Sequence, residues 1–147
     1  MKIIVKEKIG EKMRKNEERY LYYFPEGLIG LENLKEFYFL VRTEELPFYW
    51  MVSKNENFSF FVVSPFIICP NYIAEIPDEE INFLEIKDEK EIVLSVIVNR
   101  KEFTANLIAP IVLNQNKNIG KQVIIANYKD YSVNFPINYA YIIQENK

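Results

Sequence analysis

The chain has 147 residues, of which 49% are hydrophobic and 27% charged, and its net charge is −3. That balance excludes disorder of the whole chain and removes any global electrostatic pull toward nucleic acid. With no His and one Cys, Ser-His-Asp and Cys-His constellations, an imidazole proton shuttle, His-based zinc sites and an intrachain disulfide are excluded.

In chain order, Ile3-Ile4-Val5 reads as a short strand, and the polar segment 7–18 reads as a loop or weak helix. Charge arrives too early in Met1-Lys2 for a secretory signal, and no apolar run approaches the roughly 18 residues that span a bilayer. A strand over 19–24 stops at Pro25-Glu26-Gly27. The following turn is punctuated by Gly27 and Gly30, both expected at positive φ. Strands follow over 37–41 and 47–53, and Lys54-Asn55-Glu56-Asn57 connects the latter to a strand over 58–63. Ser64-Pro65 ends that strand, and the apolar run Phe66-Ile67-Ile68-Cys69 continues to Pro70-Asn71. Residues 77–84 carry the predicted helix. Pro77 suits its first position, and Asp78, Glu79 and Glu80 sit at the positive end of its dipole. The cleanest strand covers 91–98, and two further strands are expected over 121–125 and 139–143.

The segment 103–114 (Phe-Thr-Ala-Asn-Leu-Ile-Ala-Pro-Ile-Val-Leu-Asn) is apolar at most positions yet holds Pro110 in its interior. A sheet interior excludes Pro because the missing N–H breaks the ladder. The segment therefore reads as two strands meeting at a bend or bulge. Asn106 and Asn114 are available there to hydrogen-bond the backbone where the ladder is interrupted.

Tyr 10 and Phe 11 against Gly 4 favour strands, whose half-buried pleat suits aromatic side chains. The expected fold is all-β: one small barrel-like domain over 1–147, built of many short antiparallel strands with one short helix. Glu44-Glu45, Asp78-Glu79-Glu80 and Asp88-Glu89 lie in polar contexts and read as solvated rather than catalytic, because an acid/base pair needs one carboxyl buried. The glycines of 27–30 lack the remainder of a phosphate-cradling loop. No catalytic, cofactor or metal-ligating residue is assigned. A small barrel binding a nucleotide or other small molecule through Arg14 or Arg19 is the alternative. The stretch 75–91 is rich in carboxylates and predicts an acidic surface, which suits a basic protein partner. Asp78, Glu79 and Glu80 are the expected contact residues.

In family order, the chain carries Phe24-Pro25-Glu26-Gly27-Leu28-Ile29-Gly30-Leu31-Glu32, Phe37 and Leu40, the stretch 47–53, Val62-Val63-Ser64-Pro65, Pro70-Asn71-Tyr72, the whole of 104–114 and Gly120-Lys121-Gln122-Val123. This set resembles the flagellar assembly factor FliW family over about residues 24–131. Gly27, Gly30, Pro65, Asn106, Pro110 and Asn114 are its structural signature. Three positions depart from the family pattern: Ile29 replaces the usual Pro, Met51-Val52-Ser53 replaces Leu-Gln-Ser, and Ile108 stands where a basic residue is common. The resemblance implies a non-enzymatic cytoplasmic protein; a free monomer without cofactor is expected, with direct nucleic-acid contact set aside on net charge and membrane contact on the length of the apolar runs. Its implied partners are CsrA, a basic homodimeric regulator that represses flagellin mRNA, and flagellin itself. Exported flagellin would free the factor to capture CsrA.

Overall fold

The computed structural model describes residues 17–55, 57–140 and 142. The strand expected at Ile3-Ile4-Val5, most of the segment 7–18, Arg14 and the end of the 139–143 stretch lie outside them. Nine strands lie among the described residues: β1 Glu17–Tyr23, β2 Glu36–Arg42, β3 Tyr49–Ser53, β4 Ser59–Val63, β5 Ile92–Asn99, β6 Thr104–Ala105, β7 Ile111–Asn114, β8 Ile119–Gln122 and β9 Phe135–Pro136. The order β4-β3-β2-β1-β8-β7-β5 closes because β4 also pairs with β5. These strands form a barrel, and β6 and β9 extend from it beside β5. All neighbours are antiparallel except β1 and β8, which meet in parallel through Tyr23 and Ile119.

Strand alternation decides what fills the barrel. Tyr20 and Tyr22 of β1 face Phe39 and Phe37 of β2 across the ladder. These rings are buried together with Phe24, Met51, Ile111 and Leu113. They pack edge-on, with centroids 5.5 Å apart for Tyr22–Phe39 and 5.2 Å for Phe24–Phe37, the arrangement preferred by ring quadrupoles. Gly120 of β8 makes room for them, because a Cβ there would lie 2.7 Å from both Leu113 and Phe24 side-chain atoms. Deeper in, the Tyr49 hydroxyl shares a hydrogen bond with the Ser95 hydroxyl. At one end of the β1–β2 pair, the buried carboxylate of Glu17 receives Arg42 Nε at 2.6 Å, with Arg19 3.5 Å away.

The segment 103–114 is two strands separated by an extrusion. Ala105 pairs with Val98 and Ile111 with Ser95, so residues 107–110 leave the ladder opposite Val96. Asn106 still donates its N–H to Ile97 O at 3.1 Å. Its side-chain oxygen accepts from Ile108 N and Ala109 N at 3.0 and 3.1 Å. Leu107 turns into an outer core with Val63, Val96, Val98 and Ile125. Pro110, which has no N–H to place, keeps its carbonyl bonded to Val123 N.

Among the described residues, two short α-helices have defined bounds where the sequence suggested one. Helix α1, Pro65–Ile68, occupies the apolar run after Ser64, whose hydroxyl accepts from Phe66 N and starts the turn. Helix α2, Asp78–Phe83, has Pro77 at its N-cap, one position before the helical residue the sequence suggested. The strand expected over 121–125 is the earlier stretch Ile119–Gln122, although Val123 and Ile125 still donate to the extruded segment. Tyr139, Ala140 and Ile142 are helical, not extended, with Ile142 N donating to Asn138 O. In the tight turn, Gly27 and Gly30 have φ of 65° and 84°. A Cβ on Gly27 would come within 2.6 Å of the Leu31 and Glu32 carbonyls.

Asn114 joins α2 to the barrel. Its wholly buried amide donates to Leu84 O at 2.7 Å, and its oxygen accepts from Asn116 N at 3.0 Å and Lys117 N at 3.3 Å in the β7–β8 turn. Asn114→Ala leaves a buried carbonyl without its donor and is expected to cost about 2–3 kcal/mol in urea unfolding. Asn114→Asp keeps the turn acceptors and loses the amide donor, so equal stability of Asp and wild type would show the Leu84 bond to be unimportant.

Burial pushes the Tyr49 phenol up to about 12. Its folded value therefore exceeds the unfolded one, and the associated stability is present below about pH 10 and is lost as the pH rises toward 12. Tyr49→Phe is expected to lessen that alkaline slope in urea midpoints taken on either side of pH 10. Tyr20 and Tyr72, also raised by burial, would supply what remains.

Candidate functional site

With the interior filled, recesses must be sought on the outer wall. In β3, Tyr49, Met51 and Ser53 point inward, so Trp50 points out beside Phe61 of β4, its cross-strand partner. The two rings lie 4.9 Å apart, and Phe48 stacks on Phe61 at 4.8 Å with planes within 10°. The row continues through Phe103, 5.9 Å from Phe48, to Tyr139, 6.1 Å from Phe103. After β5 the chain turns, and Asn99 Oδ1 accepts from Lys101 N and Glu102 N at 3.1 and 3.2 Å. That turn carries Arg100 over both the Trp50 and Phe61 rings, with its guanidinium carbon 5.1 Å from each centroid. Phe103 closes the turn at a φ of 55°, a conformation that bulky residues rarely adopt.

These rings floor a cleft of about 610 Å³, bordered also by Glu44, Glu45, Leu46 and Ile142. This volume lies in the usual range for ligand sites, roughly 300–1,000 Å³. Leu46 and Tyr139 at its edge are 52% and 58% exposed. Glu45 pairs with Arg42 at 3.5 Å, and Glu44 is not without a partner. Arg100 forms no hydrogen bond or ion pair among the described residues. The sequence reading did not assign this cleft. Its one available signal was Trp50, the sole Trp, placed at an outward position.

The acidic stretch occupies another sector of the wall. Helix α2 lies where Leu84, Val112 and Val123 form a small core. Asp78 and Glu79 project to solvent, whereas Glu80 is half-buried. Lys121 of β8 donates to Glu80 at 2.7 Å and lies 4.7 Å from the centroid of the exposed Phe83 ring. The three carboxylates thus share a helix but not a role, since Glu80 holds α2 to β8. Glu75, Glu85, Asp88 and Glu89 are exposed along the same stretch. Asp88 caps the turn Glu89–Glu91. The Glu91 carboxyl is held below its ordinary range, first by the Lys87 N–H that it accepts. Arg19, named for a phosphorylated ligand, pairs with Glu17 and does not line the cleft. Among the described residues no cluster of His, Cys, Asp or Glu is placed to hold a metal ion, and no helix is long and apolar enough to cross a membrane.

Fold and site define a filled β-barrel, with its interior occupied by aromatic side chains and its recess on the outer wall. Residues 4–137 match the model of the FliW protein family. A flagellar assembly factor FliW of Borrelia turicatae is 41% identical over 122 residues, covering 80% of this chain and 93% of that protein. One from Caldanaerobacter subterraneus is 40% identical over 128 residues, covering 83% and 84%. A crystal structure of the flagellar assembly factor FliW superposes with a TM-score of 0.68 at 31% identity, covering 80% of this chain and 83% of that one. The chain belongs to the FliW family.

The Glu80–Lys121 pair is shielded from solvent on both sides, at 18% and 20% exposure. Glu80→Gln is expected to cost about 1 kcal/mol at low ionic strength and less in concentrated salt, since screening weakens such pairs. Asp78→Asn should leave the urea midpoint unmoved. Equal effects of the two substitutions would contradict the structural division between them.

Proposed function

We propose that this protein is a flagellar assembly factor that binds the translational regulator CsrA and relieves its repression of flagellin mRNA. Flagellin sequesters it in turn. It works in the cytoplasm, as a monomer when free, without a cofactor and without touching nucleic acid or membrane. The observation that carries this reading is the family match, which runs through the whole barrel from residue 4 to residue 137. The exposed carboxylates of α2 agree with it physically. A basic partner approaching Asp78 and Glu79 meets charges that no ion pair among the described residues consumes. Glu80, tied to Lys121, contributes to the field of that face more than to direct contact.

The test uses purified proteins and a flagellin leader RNA. The chain is expected to bind CsrA and to release it from the RNA, and added flagellin should reverse the release. Failure to bind either CsrA or flagellin, with CsrA remaining on the RNA, would sink the reading. Reversing Asp78 and Glu79 to Lys is expected to slow association with CsrA about tenfold at low salt and to flatten its salt dependence, because complementary charge acts mainly on encounter. An unchanged association rate would move the contact away from α2.

A further inference from the structure

We propose that the aromatic cleft beside Arg100 is a docking surface for a protein segment that presents a bulky apolar side chain next to a carboxylate. Three observations converge on this. The cleft is an apolar recess of a size that admits a side chain, floored by Phe48, Phe61 and Phe103 and left open at Leu46 and Tyr139. Arg100 is held in one place by two ring faces and by the Asn99-capped turn beneath it. A guanidinium so held loses little freedom when it forms a forked bond to a carboxylate.

Charge balance selects the partner. Both carboxylates on the cleft already have partners, Glu45 with Arg42 among them, and Arg42 is further engaged by Glu17. Arg100 is the lining charge that forms no hydrogen bond or ion pair among the described residues. An incoming acidic group completes it, while an incoming lysine finds no unpaired anion. A nucleotide fits less well. Phe61 is already covered by Phe48 on a parallel plane and by Arg100, so a base has no free pair of faces to enter. Trp, Tyr and Arg around a recess are the residue types that dominate binding energy at protein interfaces.

This surface is separate from α2, and its test does not depend on CsrA. Trp50 is the sole Trp and lines the cleft, so its fluorescence reports occupancy directly. The probes are three blocked ten-residue peptides with a central Phe, flanked by Asp and Glu, by Asn and Gln, or by lysines, together with AMP. The acidic peptide is expected to give a saturable change in Trp50 emission and, by calorimetry, to bind at least about fivefold tighter than the amide peptide. Arg100→Gln should erase that difference, Arg100→Lys should keep part of it, and Asp78→Asn should not alter it. Circular dichroism establishes that each variant folds. The inference is overturned by the absence of a saturable response, by equal affinity for acidic and amide peptides, by preference for the lysine peptide or AMP, or by an Arg100→Lys variant that folds yet discriminates no better than Arg100→Gln.

Discussion

The structure depends on β5 being paired along its length while the strand beside it changes identity. One edge of β5 meets β4, and the other meets β7 over 92–95 and β6 over 98–99. A continuous neighbour would have carried its side chains in one unbroken register. The extrusion of residues 107–110 breaks that register and sends Leu107 into the outer core instead. Asn106 makes the break affordable by accepting two backbone N–H groups that would otherwise be buried without partners. Pro110 fits where a donor is unwanted.

The outer core explains why the wall is thick on one side. β5 is covered on both faces, inside by the aromatic filling and outside by α1, Tyr72, Leu107 and the segment ending near Ile142. The Tyr72 hydroxyl donates to Leu107 O at 2.7 Å and fixes the extruded segment from outside. The cleft lies at the margin of this covering, where Phe48, Phe103 and Tyr139 run out of neighbours. On another sector, α2 is fastened by Asn114 and Lys121. The two sectors therefore differ in the charge they leave without an ion pair among the described residues, carboxylates on α2 and a guanidinium at the cleft.

Much of the barrel was legible because its strands alternate. Tyr20, Tyr22, Phe37, Phe39 and Met51 point inward at a period of two, and that pattern survives folding unchanged. The run after Ser64 was not legible as a helix. Four apolar residues show no period, and the deciding contact is a Ser64 cap on one turn. The residues 139–143 misled for the same reason: apolar content suggested extension, whereas Tyr139, Ala140 and Ile142 are helical and Ile142 packs in the outer core. Charge density drew attention to Asp78, Glu79 and Glu80 as a unit. Sequence holds no sign that Lys121, far along the chain, would claim Glu80.

The sequence by itself determined the class of fold, the family and the place where the ladder must break, because alternation, Pro110 and the paired asparagines act on the local backbone. Only the tertiary structure decided which charges are spent and where the recess lies. Trp50, Phe61, Arg100 and Tyr139 come from separate strands, a turn and the final described segment, and they meet only once the barrel has closed. Whether a carboxylate or a guanidinium remains available depends on which opposite charge closure brings within reach, and spacing along the chain carries no record of that.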